Sequence, residues 1–182
     1  MRREAGILKL YKLSEVKDLV EDVKELFKFK PLIACVGTEL RGDDRAGLEV
    51  CRALRKAGFS GTVIECEYGL ENCLHVIEDL KPKHILVVDA AILPSEADFV
   101  LASPNEVETF VSLSTHSIPL DLITKILKDV MGVESIFILG IAAENLDISL
   151  ELSDVVVKRI EVLTKAIVEA FLRSVSEIST CI

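Results

Sequence analysis

Glycine and proline are scarce among the 182 residues, nine and five respectively, which removes the collagen-like, low-complexity and disordered classes. Basic residues are outnumbered, 21 Lys and Arg against 30 Asp and Glu, and the resulting formal charge of −9 repels phosphate backbones and anionic lipid. The expectation is therefore no nucleic-acid partner and no membrane surface. Membrane insertion is excluded on a second ground: no uncharged apolar run approaches the roughly 20 residues of a spanning helix, and Asp89 cuts the best candidate. The N-terminus starts basic, but Lys9, Lys12 and Glu15 interrupt its apolar stretch and no small-residue cleavage site follows, so the expected location is cytoplasmic. The five cysteines, Cys35, Cys51, Cys66, Cys73 and Cys181, include no CxxC pair that would suggest zinc or a redox motif. They read as reduced, mostly buried thiols.

What is present is a chain half hydrophobic and 28% charged, of a length that fits one domain with a real core. Apolar residues recur at spacings of three and four over 13–29, predicting an amphipathic helix that ends where Lys30 meets Pro31. Residues 32–36 then read as a short buried strand, 37–47 as a loop rich in glycine and acids, and 48–58 as a helix. The alternation continues with strands over 62–66, 84–88 and 135–141, helices over 70–80, 119–131 and 152–176, and an edge strand at 98–101. Strands that are apolar almost throughout belong to a sheet covered on both faces. The predicted architecture is α/β: a three-layer sandwich with a mostly parallel central sheet of about five strands and helices on both faces. Residues 1–182 form a single domain in this reading, with 1–30 a helical extension and 31–182 the body.

In open α/β sheets ligands gather outside the carboxyl ends of the strands, so polar residues that follow the apolar runs are the candidates. Three places qualify: Glu39, Asp43 and Asp44 after the first strand of the body; Asp89 after residues 85–88; and His116, in Ser114-Thr115-His116, ahead of the helix at Pro119. The first loop is no phosphate cradle, because Asp43-Asp44 stand where a P-loop carries Lys-Ser/Thr, and GxGxxG is absent. Adjacent positions at a helix start differ by about 100° in direction, so one acid is expected to cap the helix while the other projects into the cleft. A carboxylate after a buried run such as Asp89 is costly unless paired, and a cation is the obvious partner. Of the other histidines, His75 falls on a helix and His84 at a strand start. Two carboxylates and one imidazole suit Zn²⁺, Ni²⁺, Mn²⁺ or Fe²⁺ with positions left open. The plainer alternatives, helix caps, a turn-stabilising Asp and a solvated His, stay open for each residue taken alone. No GxSxG elbow exists and no cysteine lies in a Gly-rich turn, which disfavours a serine or cysteine nucleophile.

Taken together, the segments 37–47 (Gly-Thr-Glu-Leu-Arg-Gly-Asp-Asp-Arg-Ala-Gly), Val88-Asp89-Ala90, Ser114-Thr115-His116 and 139–146 resemble the hydrogenase maturation endopeptidases. The resemblance covers about residues 31–171, in order and at fitting spacing. It implies an endopeptidase, formally of the aspartic type, that removes the C-terminal extension of a nickel-loaded hydrogenase large-subunit precursor. It implies Asp44, Asp89 and His116 as both catalytic and metal-binding residues, with nickel supplied by the precursor and another divalent metal able to take the site in isolation. Asp43 is then capping support. The sequence departs from the family pattern at Thr38-Glu39, at Arg45 beside Asp44, and at Ala142-Ala143 in place of Gln-Pro. Arg45 is positioned to pair with Asp44 and weaken metal binding. The alternative reading is a non-catalytic metal- or hydrogenase-binding module on the same fold.

Overall fold

The alternation of apolar strands and amphipathic helices forms, in a computed structural model describing residues 6–110, 112–113 and 119–180, a central sheet with a helical layer on each face. The strands are β1 (Leu8–Tyr11), β2 (Leu32–Gly37), β3 (Val63–Glu67), β4 (His84–Ile92), β5 (Phe99–Ala102), β6 (Ser112–Leu113) and β7 (Ser135–Ala142). The helices are α1 (Val16–Phe27), α2 (Ala46–Lys56), α3 (Leu74–Leu80), α4 (Pro104–Phe110), α5 (Leu120–Lys125) and α6 (Asp154–Thr180). Single tight turns lead into three of them, at Leu13–Glu15, Gly42–Arg45 and Leu70–Cys73.

The sheet runs β1-β5-β7-β4-β2-β3, with β6 paired to the far end of β4. β3, β2, β4 and β7 are parallel, while β5 and β1 join antiparallel. Strand alternation divides the core in two. Ile33, Cys35, Leu86, Val88, Phe99, Leu101, Leu139 and Ile141 face α1, α2 and α6. Leu32, Ala34, Val36, Ile85, Val87, Val100 and Ile138 face the layer of α3, α4 and α5. This is the expected three-layer sandwich, with seven strands among the described residues rather than about five.

The structure corrects several expectations. The strand read at the sheet edge, β5, is interior and fully buried, because β1 from the N-terminal segment covers its outer side with the register Leu8↔Ala102 to Tyr11↔Phe99. Four residues at the N-terminus gave no helical or long apolar signal, yet they add a strand. α1 lays Leu19, Val20, Val23, Leu26 and Phe27 against α6, and ion pairs at its rim, Lys24–Glu177 (2.9 Å) and Arg173–Glu21 (2.6 Å), fasten the two helices. β4 does not stop before Asp89 but continues to Ile92. Four of the cysteines are not free thiols: Cys35–Cys51 and Cys66–Cys73 are disulfides, with Cα separations of 6.0 and 5.4 Å that lie within the range such bonds accept. Each pair joins a strand to the helical segment packed on it. Distance along the chain and lack of a motif carry no information on such pairing. Among the described residues no helix is long and apolar enough to cross a membrane.

Candidate active site

From β2 the chain passes to β3 on one side, while β4 lies on the other, so the order reverses between β2 and β4. A crevice opens at such a reversal, outside the carboxyl ends of the two strands. β2 follows β4 as far as the pair Cys35↔Val88; β6 takes up the same flank of β4 only at Ala91↔Leu113. Asp89 and Ala90 lie in the fork between these two partners, held on the opposite flank by β7 through Asp89↔Gly140 and Ala90↔Ile141.

Asp89 is fully buried, and its Oδ1 accepts a hydrogen bond from the Ala90 backbone N–H at 2.8 Å. Alternation with Val88 and Ala90 places it on the sheet face shared with α3 and α5. Asp44, also fully buried, sits in the tight turn Gly42–Arg45 that leads from the end of β2 into α2, its N–H donating to Arg41 O at 3.0 Å. Gly47 sets how closely this turn approaches the strands: a Cβ there would overlap both Val36 O and Val88 O, so only glycine lets the start of α2 rest on the fork. The two acids predicted from separate segments are thus both buried where β2 and β4 part, one in the turn that leaves β2 and one on β4. Two buried carboxylates are a costly pair unless compensated, and their hard oxygen donors match a divalent cation. Among the described residues alone, no group of three or more His, Cys, Asp or Glu gathers as a metal site. His116 lies outside the described residues.

Asp43 does not cap its own helix. Its Oδ2 accepts from the backbone N–H groups of Glu144 (2.9 Å) and Asn145 (2.7 Å) and from Ser153 Oγ (2.8 Å), while Oδ1 accepts from Ser153 N (2.7 Å). The residue thus ties the turn to the loop 143–153 and to the start of α6, whose first free N–H groups are met by Ser153 O. The turn is tight because Gly42 adopts φ +51°, where a side chain would be strained and would also press on Asn145 O.

Glu39 is not brought into the fork. It is exposed on the rim and bound by Arg52 at 2.6 Å, and Arg52 also reaches Glu49 and Glu65. These carboxylates, with the hydrogen bond to Glu39 foremost, hold the Arg52 pKa above its ordinary value. Arg45 pairs with Glu49 one turn along α2, at 3.4 Å, rather than with Asp44. The Ala142-Ala143 segment leads to a buried cation that the sequence reading missed. Arg159 of α6 donates to Asp98 Oδ1 (2.8 Å), Ala142 O (3.0 Å) and Glu144 Oε1 (2.6 Å). Burial alone would lower its pKa, but the hydrogen bonds to Glu144 and Asp98 outweigh that and the net direction is upward. Its signal was available: Arg159 falls between Val156, Ile160 and Leu163 on the buried stripe of α6, where an arginine needs acidic partners.

No protein-family model matches the chain. It is similar to a protein of Methanocaldococcus jannaschii that bears the name hydrogenase maturation protease, 32% identical over 127 residues, which is 65% of this chain and 75% of that one. It is likewise similar to the hydrogenase 3 maturation protease of Escherichia coli K12, 31% identical over 111 residues, or 59% of this chain and 69% of the relative. Among solved structures, the nickel–iron hydrogenase maturation protease HycI of Thermococcus kodakarensis KOD1 superposes with a TM-score of 0.69 at 26% identity, covering 82% of this chain and 98% of that chain. The E. coli endopeptidase HycI shares the fold, with a TM-score of 0.65 at 23% identity over 74% of this chain and 86% of its own.

Proposed function

The chain belongs to the hydrogenase maturation protease family, and on that footing we propose that it removes the C-terminal extension of a nickel-loaded hydrogenase large-subunit precursor, using Asp44, Asp89 and His116. The observation that carries this reading is that two fully buried carboxylates stand where β2 and β4 part, Asp89 on β4 beyond its last pair with β2 and Asp44 in the turn that leaves β2. Connectivity supports His116 as the third group. Leu113, three residues before it, is paired with Ala91, two residues beyond Asp89.

In this reading the nickel is cargo of the precursor, recognised by Asp44, Asp89 and His116 before the chain is cut. Three donors leave positions for the precursor's own thiolates and for a water. A divalent cation held by these residues would raise the acidity of such a water and polarise a carbonyl, and a carboxylate at the fork would take the proton of the attacking water and pass it to the leaving amine. In isolation another divalent metal takes the same donors. The Arg45–Glu49 pair removes one reason to read the site as decayed, because the cation next to Asp44 is engaged elsewhere.

The test is to mix the purified protein with nickel-loaded and nickel-free precursor and to follow the C-terminal loss by intact-mass spectrometry, with Asp89→Asn as control. Loss from the loaded precursor only, and only with the unsubstituted protein, is the expected outcome. Binding without loss from either precursor would leave a recognition module in place of the peptidase.

A further inference from the structure

Residues 143–153 form no helix or strand, yet their backbone is held along its length. Gly42 N donates to Ser149 O (2.8 Å), Ser149 N to Leu40 O (3.1 Å) and Asp43 N to Asn145 O (2.9 Å), and Arg41 Nε reaches Leu146 O (3.2 Å). Within the loop, Asn145 Oδ1 accepts from Asp147 N and Ser149 Oγ from Glu151 N, in addition to the four hydrogen bonds accepted by Asp43. A loop fixed this way nevertheless displays Ile148 and Leu150 at 91% and 68% exposure, beside Leu40 at 54%. Packing has no use for these side chains. Aliphatic groups held out by a rigid backbone lose little further freedom on binding, which is the arrangement of a preorganised contact surface.

We propose that Leu40, Ile148 and Leu150 are specificity-determining residues of the active site, receiving an apolar stretch of the precursor's C-terminal extension while the bond to be cut lies across the fork. The proposal rests on the peptidase reading. The occupant follows from continuity and charge. The loop is bonded to the turn that carries Asp44, which makes the aliphatic surface continuous with the proposed site. Asp147 and Glu151, both exposed, flank the aliphatic pair, which suits an apolar stretch with basic neighbours. A second copy of this chain fits poorly, since it would set the same acids, and −9 against −9, across the contact.

Steady-state cleavage of the nickel-loaded precursor by the Ile148→Ser, Leu150→Ser double variant tests this, with Val130→Ser, an exposed aliphatic at the amino end of the sheet, as control. The expected result is a KM raised about tenfold or more with kcat within about twofold of wild type, an unchanged control, and a normal KM for Ile148→Val. If the double variant melts lower than wild type, Ile148→Ser alone is measured. An unchanged KM, or a fall in kcat alone, overturns the subsite while leaving the peptidase reading intact. Failure of the unsubstituted protein to cleave overturns that reading, and the subsite with it.

Discussion

Asp43 and Asp44 are neighbours in sequence with opposite surroundings. Asp44 is buried in the turn that leaves β2, whereas Asp43 spends both oxygens on the loop 143–153 and on Ser153 at the head of α6. Asp43→Ala strips the acceptor from three buried or half-buried backbone N–H groups and a hydroxyl. The expected loss is about 3 kcal/mol or more in urea unfolding, with Asp43→Asn in between because its amide oxygen still accepts. The sequence separated the two acids in direction but not in task. A carboxylate whose partners lie some hundred residues away has no local signature, whereas Arg45 had one in Glu49 at the helical spacing of four. Asp89 was legible because a carboxylate after a run of buried aliphatics needs a reason to be there, and Arg159 was equally legible on the apolar stripe of α6, though it went unread.

Among the elements, those with strong periodicity or continuous apolar runs were readable from sequence: β2, β3, β4, β7, α1, α2 and α6 fall within a few residues of their expected positions. β1 and β6 were not, because two to four residues completed by pairing with a distant strand carry almost no pattern of their own. β4 was read short for a related reason, since Asp89 looks like a terminus until β7 and β6 are there to carry the ladder past it. The disulfides add a testable property at this scale. Cys35–Cys51 closes the segment of chain that bears both Asp43 and Asp44, across a sequence separation of 16. Loss of a crosslink over a loop of that size costs about 3 kcal/mol. Reduction, which opens Cys66–Cys73 as well, should therefore lower the melting temperature by at least roughly 6–12 °C for a chain of this length, and thiol alkylation before and after reduction should differ by four cysteines.

At the scale of the whole molecule, the N-terminal segment is part of the body. α1 contributes Leu19, Val20, Val23, Leu26 and Phe27 to the core, each worth about 1.5–3 kcal/mol when fully buried, against a total stability of about 5–15 kcal/mol for an ordinary domain. Deletion of residues 1–30 is expected to yield a chain that binds a hydrophobic dye such as ANS and loses its cooperative melt; a soluble, cooperatively folding product would refute this. The placement of β1 and α1 also governs the order in which the molecule can close. β1 finds its partner in β5, some ninety residues on, and α1 finds its own in α6, at the other end of the chain. During synthesis β1 and α1 thus emerge well ahead of the elements that satisfy them. β1 stays unpaired until β5 has been made, and α1 keeps an apolar face uncovered longer, until α6 arrives.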